Sequence, residues 1–349
     1  MNDRKRTPAA ASLAVCAGRF LLPNAANLAL VRAALARAPR CVVFVRRAHM
    51  APSPANPFDA DQRIAMLRAA LTDDERMQAE FVPLREHWDD QRLLRDMGAA
   101  IAGEHQVRWV VAGQAPVDAQ DLPTGWTLDH AAGGDGDAQA VAWLEQLYAA
   151  EDPMRGLFAL EDTLPASALS FLRDWIATPV FATVRDDWRQ IAHEKRQWSV
   201  APYPVVLVTV DAVVHAGGHV LLIRRGRSPG RGLWALPGGF LEPREPVLHA
   251  ALRELVEETG LPLSTREMQQ RLKGVRIFDH PERSQRGRII THTFFFDLGD
   301  MAPPPVQGGD DAAAAQWVKV DQLPQLEARL HDDHFHMLDT FLGVAPQPG

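Results

Sequence analysis

At 349 residues the chain is longer than one ordinary hydrophobic core organises, so two domains are expected. With 46% hydrophobic and 23% charged residues it has the composition of a soluble globular protein. A net charge of −7 argues against general binding to nucleic acid or to anionic membranes, though local arginine clusters can still meet phosphates.

The basic start, Met1 to Arg6, precedes an apolar run too short for a leader and broken by Gly18 and Arg19. No stretch approaches the roughly 20 apolar residues of a membrane helix, so a cytoplasmic protein is expected. Ser12 to Cys16 reads as a strand and Ala25 to Ala36 as a helix. Cys41 to Val45 is a continuous apolar run, the pattern of a strand buried on both faces. Cys16 and Cys41 lie inside such runs without zinc-site spacing, which points to buried free thiols. Ala60 to Leu71 is expected to be helical, Glu80 to Leu84 a strand, Asp90 to Ile101 a helix and Val107 to Ala112 a strand. This alternation predicts an α/β domain with a parallel sheet. Asp118 to Asp137 reads as loop, and Ala138 to about Trp198 as helices that close the first domain.

Pro202 and Pro204 then punctuate the chain and the period changes. Strands are expected over Val205 to Val214, Val220 to Arg225, Val275 to Phe278 and Ile289 to Leu298, interrupted by one long helix, Pro246 to Thr259. Pro303 to Pro305 is loop, and Gln322 to Phe341 predicts a closing helix. The domains so drawn are 1–198 and 203–349.

The stretch that carries chemistry runs from Gly239 through Glu245, Arg253, Glu254, Glu257 and Glu258 to Gly260. Pro246 suits a first helical turn and Gly260 a helix end. Between them Glu254 and Glu258, four apart, share a face, and Glu257 lies three from Glu254. Three clustered carboxylates repel one another, and a hard divalent cation removes that repulsion with the oxygen ligands Mg²⁺ takes. Arg253, four before Glu257, is placed to hold that carboxylate.

This stretch resembles the Nudix box, G-x5-E-x7-R-E-U-x-E-E-x-G-U with U aliphatic, at every specified position. Residue frequencies of roughly 5–10% put a chance match of its seven fixed positions on the order of 10⁻⁸ per start. The resemblance implies an α/β/α sandwich and hydrolysis of a nucleoside diphosphate linkage. It implies metal ligation by Glu254, Glu258, Glu257 and the Gly239 carbonyl, with Mg²⁺ as the metal and Mn²⁺ as the alternative. Arg253, Glu254 and Glu257 are the expected catalytic group, Glu257 leading as general base, while Glu245 either caps the helix or binds metal. The flanks, Leu222 to Arg225, Trp234 to Gly239 and Phe278 to His292, resemble ADP-ribose pyrophosphatase-like Nudix domains fused to nicotinamide-nucleotide adenylyltransferase domains. Arg224, Arg225, Arg283, Arg286 and Arg288 are therefore expected substrate contacts. Phe278 or Trp234 would stack a base.

Gly18-Arg19-Phe20 resembles the start of the G-R-F-x-P-x-H-x-G-H signature of nicotinamide-nucleotide-type nucleotidyltransferases. In register, Asn24 and Asn27 stand where the histidines belong, and Ala26 replaces the glycine. The family's I-S-x-T-x-x-R motif falls at Gln139 to Glu145, with Glu145 in place of the arginine. Asparagine cannot carry imidazolium charge. The expected architecture is a Rossmann-like nucleotidyltransferase-type domain that has lost adenylyl transfer, followed by the Nudix sandwich. ADP-ribose, cut to AMP and ribose 5-phosphate, is the leading substrate. A bifunctional adenylyltransferase/Nudix enzyme and a non-hydrolysing ADP-ribose sensor are the alternatives. The expected partner is a small nucleoside diphosphate, with no nucleic acid and no membrane, and a homodimer is compatible with the sequence.

Overall fold

Residues 11–101, 105–113 and 117–346 are described by a computed structural model. They divide into two units, the first holding residues 11–49 and 56–182 and the second residues 50–55 and 183–346.

In the first unit, β1 (Ala11–Gly18), α1 (Ala25–Leu35), β2 (Arg40–Val45), α2 (Ala60–Ala69), α3 (Asp73–Gln78), β3 (Ala79–Pro83), α4 (Asp90–Ala100), β4 (His105–Ala112) and β5 (Trp126–Ala131) precede three helices. These are α5 (Gly136–Ala149), α6 (Pro153–Gly156) and α7 (Ala166–Ile176). The sheet is all parallel, in the order β3-β2-β1-β4-β5. The apolar run of β2 serves both faces: Val43 and Val45 pack with Cys16 and Val31, and Val42 and Phe44 with Leu93 and Trp109. Both cysteines are free and buried, and contact with Cys41, with burial, pushes the Cys16 thiol up. The order reverses between β1 and β4, and in open α/β sheets ligands bind in the crevice beyond the strand ends at such a switch. β5 replaces the loop expected before Asp137. It is an edge strand that buries only part of one side, Trp126 and Leu128, so its sequence signal is short.

Helix α8 (Pro179–Trp198) contains the division between the units, and its residues 183–198 group with the second rather than the first. The second unit continues with β6 (Val206–Ala216), β7 (His219–Arg225), β8 (Trp234–Ala235), β9 (Gly238–Phe240), α9 (Val247–Thr259), α10 (Thr265–Arg271), β10 (Leu272–Phe278) and β11 (Arg288–Asp297). It ends with β12 (Ala312–Lys319), α11 (Leu323–Leu326) and α12 (His334–Leu342). A mixed sheet, β10-β11-β6-β7-β12, carries β8 on β7 and β9 on β6. Ala250, Ala251 and Leu255 of α9 cover one face, against Val210, Ala212 and Phe296. Phe335, Met337 and Leu338 of α12 cover the other, against Val213 and Leu222. The result is an α/β/α sandwich.

Other elements of the second unit also differ from expectation. The short α10, closed by a Ser264/Glu267 capping box, was not anticipated. Nor was β12, whose alanine run has weak strand propensity and becomes a strand by pairing with β7. The closing helix is split, because Leu330 bridges to Trp234 and Asp333 is held by Arg283, which keeps residues 330–333 out of a helix. Among the described residues no helix is long and apolar enough to cross a membrane.

Candidate active site

Helix α9 is cut to length by its ends. Pro246 is the N-cap residue, one position outside the expected first turn, and Gly260 closes the helix in the left-handed region at φ 57°. Between them the apolar stripe faces the sheet and the polar ridge carries Arg253, Glu254, Glu257 and Glu258. Glu254 and Glu258 are nonetheless buried, at 9% and 5% exposure. Arg253 is the organiser of the ridge. Its Nη1 donates to Glu254 and to Glu257, each at 2.9 Å, while Nε and Nη2 form a fork on Glu245 at 3.1 and 2.7 Å. These bonds, the Glu245 pair first, hold the guanidinium well above its ordinary range, and Glu245 is held below the usual carboxylate range by Arg253. Glu245 makes no side-chain cap on α9; it braces Arg253 and accepts the Glu242 amide. The cap alternative for Glu245 is therefore corrected.

The loop entering the helix is fitted to these carboxylates. The Gly238 amide donates to Glu258 Oε2 at 2.8 Å. A Cβ on Gly239 would fall 2.5 Å from Glu254 Oε1, and one on Gly238 would fall 2.2 Å from the Val210 carbonyl. Only glycine allows the backbone this close. Burial pushes Glu258 up to about 8, against the Gly238 bond and with added repulsion from Glu254 and Asp211. Burial raises Glu254 too, Arg253 opposing it. Asp211, which the sequence reading missed, is a buried carboxyl pushed by desolvation to about 6 and bonded to Thr291 Oγ1 at 2.5 Å. A lone aspartate in the apolar run of β6 was its only trace.

The expected substrate arginines separate. Arg283 is buried and forms a fork on Asp333, Nε to Oδ2 at 2.9 Å and Nη2 to Oδ1 at 2.8 Å. Its role as a substrate contact is corrected to an internal ion pair. Phe278 is likewise core, packed edge-on to His336 at 5.6 Å, and offers no stacking face. Arg288 donates to the Asp279 carbonyl. Arg224, exposed, lies 5.1 Å over the Trp234 ring. Arg225 is mostly buried, which lowers its pKa, and it feels the charge of Glu258. Arg286 lies 4.7 Å over Phe240, next to Gly239, and pairs with Glu194 at 2.7 Å. Arg225 and Arg286 are thus the two that the fold brings beside the loop, Arg225 toward Glu258 and Arg286 over Phe240.

In the first unit, Asn24 and Asn27 are turned inward. Asn24 caps α1 by accepting the Asn27 amide at 2.9 Å and donates to the Gly136 carbonyl at 2.7 Å. Asn27 donates to the Leu22 carbonyl at 2.9 Å and to Asp137 Oδ1 at 3.3 Å. The β1–α1 loop is occupied from within: Asp137 accepts the amides of Arg19 and Leu21 at 2.7 and 3.0 Å. Arg63, fully buried, ties the same loop down through the Arg19 and Arg46 carbonyls. Glu145, on α5, is exposed.

With this geometry in hand, residues 206–341 match the NUDIX domain family and residues 15–132 the Cytidylyltransferase-like family. Over 118 residues the chain is 30% identical to Phosphatase NudJ of Escherichia coli, covering 34% of this chain and 71% of that one. The chain belongs to the Nudix family. It is also 35% identical over 121 residues to an ADP-ribose pyrophosphatase of Methanocaldococcus jannaschii, covering 34% of this chain and 65% of that relative. A bifunctional NMN adenylyltransferase/ADP ribose pyrophosphatase from Francisella tularensis is 24% identical with a TM-score of 0.82, covering 97% of this chain and all of that one. At that identity the likeness establishes the fold: a Rossmann-like parallel-sheet domain followed by a Nudix domain.

Nudix hydrolases typically use divalent metals. Here the donor set has the right chemistry, buried carboxylate oxygens whose ionisation is opposed by burial and by one another. Among the described residues, however, no three acidic, histidine or cysteine side chains converge as a ready-made metal cage. Arg253 takes up the charge of Glu245, Glu254 and Glu257, so the Nudix glutamates are partly satisfied by protein.

Proposed function

We propose that the Nudix unit is a cytoplasmic, Mg²⁺-dependent hydrolase that cuts ADP-ribose to AMP and ribose 5-phosphate, Mn²⁺ being the alternative metal. The observation that carries this reading is the Arg253-centred glutamate ridge of α9 set against a glycine loop that no side chain could occupy. The Methanocaldococcus relative supports the choice of substrate, and the net charge of −7 supports a small nucleotide over a nucleic acid.

Glu254, Glu258 and Glu257, with the Gly239 carbonyl, would hold the metal, which supplies positive charge to the diphosphate oxygens and acidifies water when bound. Glu257 is the most open of these carboxylates, its side chain 46% exposed and steered by Arg253, and it takes the proton of the attacking water. Water oxygen forms the new bond to phosphorus, the bridging phosphoanhydride bond breaks, and its electron pair leaves with the departing phosphate. Arg286 and Arg225 lie near enough to the loop to meet the diphosphate with forked donors. The first unit is proposed to lack adenylyl transfer, because Asn24 and Asn27 are neutral and spend their amides on its own backbone and on Asp137. Turnover of a panel of ADP-ribose, NADH, diadenosine polyphosphates and nucleoside triphosphates, with and without Mg²⁺, tests the reading. Failure to cleave ADP-ribose faster than the others would overturn the substrate assignment.

A further inference from the structure

The loop that meets the glutamates is gripped by the irregular segment 330–333 and the first residue of α12. The His331 amide donates to the Trp234 carbonyl at 2.9 Å, and Leu330 bridges to Trp234. Asp333 is locked by the Arg283 fork. Next to it the His334 ring, buried at 8% exposure, accepts the Leu236 amide on Nδ1 at 2.8 Å. Leu236 is itself buried, so that amide has no water to turn to. Two residues on, the Gly238 amide meets Glu258, and the Pro237 carbonyl accepts from Ala212 at 2.9 Å. One short loop is therefore pinned at Leu236 by a side chain 98 residues further on, at Pro237 by the Ala212 amide and at Gly238 by Glu258 of α9.

We infer that His334 is a positioning residue for hydrolysis, its Nδ1 fixing the Leu236 amide and thereby the placement of Gly238 and Gly239 against Glu258 and Glu254. This rests on the Nudix chemistry proposed above. The acceptor role requires the tautomer with hydrogen on Nε2. Burial, with the neighbouring His331, Arg283 and Arg225, holds the ring in its neutral form. The T-shaped packing of His331 on His334, 5.7 Å between centroids, fixes the ring's place.

The test is a set of full-length variants read by steady-state kinetics and by amide hydrogen exchange over residues 234–240. His334→Asn keeps an acceptor near the Nδ1 position, His334→Gln moves it toward Nε2, and His334→Leu removes it. His334→Leu and His334→Gln are expected to lose roughly 10²-fold in kcat with little change in KM, since small misplacements of a reacting constellation cost on that scale. In both, exchange at the Leu236 amide accelerates, whereas His334→Asn restores kcat and protection. If the Leu variant does not fold, the Asn/Gln contrast carries the same decision. Wild-type kcat in His334→Gln, or equal loss in His334→Asn, overturns the positioning role. Glu258→Gln run alongside separates the two levels: if it too is fully active the proposed role of Glu258 in the chemistry fails, and if it is dead while His334→Gln is not, only the role of His334 falls.

Discussion

The amide of Gly238 donates to Oε2 of Glu258 across 2.8 Å, joining the loop before α9 to the last carboxylate on the helix. Glutamine at position 258 can accept the same bond, so Glu258→Gln is expected to fold normally. It should lose roughly 10²-fold or more in kcat at saturating Mg²⁺, on the scale of roughly 3 kcal/mol of lost charge stabilisation. Near-wild-type turnover would remove Glu258 from the chemistry.

Arg253→Lys keeps the charge but not the fork. One ammonium cannot reach Glu245, Glu254 and Glu257 together in the planar geometry that the guanidinium offers. A kcat loss of roughly 10- to 10²-fold is expected. The melting temperature should move less, because lysine keeps a positive charge among the three carboxylates. A large fall in melting temperature without a kcat effect would make the residue structural only.

Arg283 and Arg286 should part company. Arg283→Met leaves Asp333 buried and unpaired, its side chain 1% exposed, and should cost about 3–5 kcal/mol in chemical denaturation. Adding Asp333→Leu is expected to recover much of that loss. Arg286→Ala, by contrast, should raise KM for ADP-ribose more than it lowers kcat. Unchanged KM in Arg286→Ala would leave the loop without a substrate role.

The full-length protein is expected to make no NAD from ATP and nicotinamide mononucleotide. Stabilising a departing diphosphate needs positive charge that Asn24, Asn27 and Glu145 do not supply. Asn24→His with Asn27→His should not restore synthesis, and should destabilise the first unit by roughly 1–3 kcal/mol. The asparagine amides bond to the Gly136 carbonyl, the Leu22 carbonyl and Asp137, and a buried group that loses its partner costs on that scale. Robust NAD formation by the wild-type chain would return it to the bifunctional class.

The box on α9 was legible because its geometry is local. Glu254, Glu257 and Glu258 share a helix, and Gly260 marks its end by accepting a left-handed φ, so spacing alone places the carboxylates. The parallel sheet of the first unit was legible for a similar reason, since the unbroken apolar run of β2 needs cover on both faces. What spacing cannot carry is the choice among distant partners. Arg283 reads as a phosphate ligand until Asp333, 50 residues on, turns out to face it, and Phe278 reads as a stacking ring until α12 covers it. The alanine run of β12 has no strand preference of its own and is extended because β7 offers hydrogen bonds. Leu236 and His334 are 98 residues apart, and Arg19 and Asp137 118. Those contacts exist only once the sheets have assembled and removed water, which leaves each buried amide or carboxylate to be met by whichever group the fold has brought within reach.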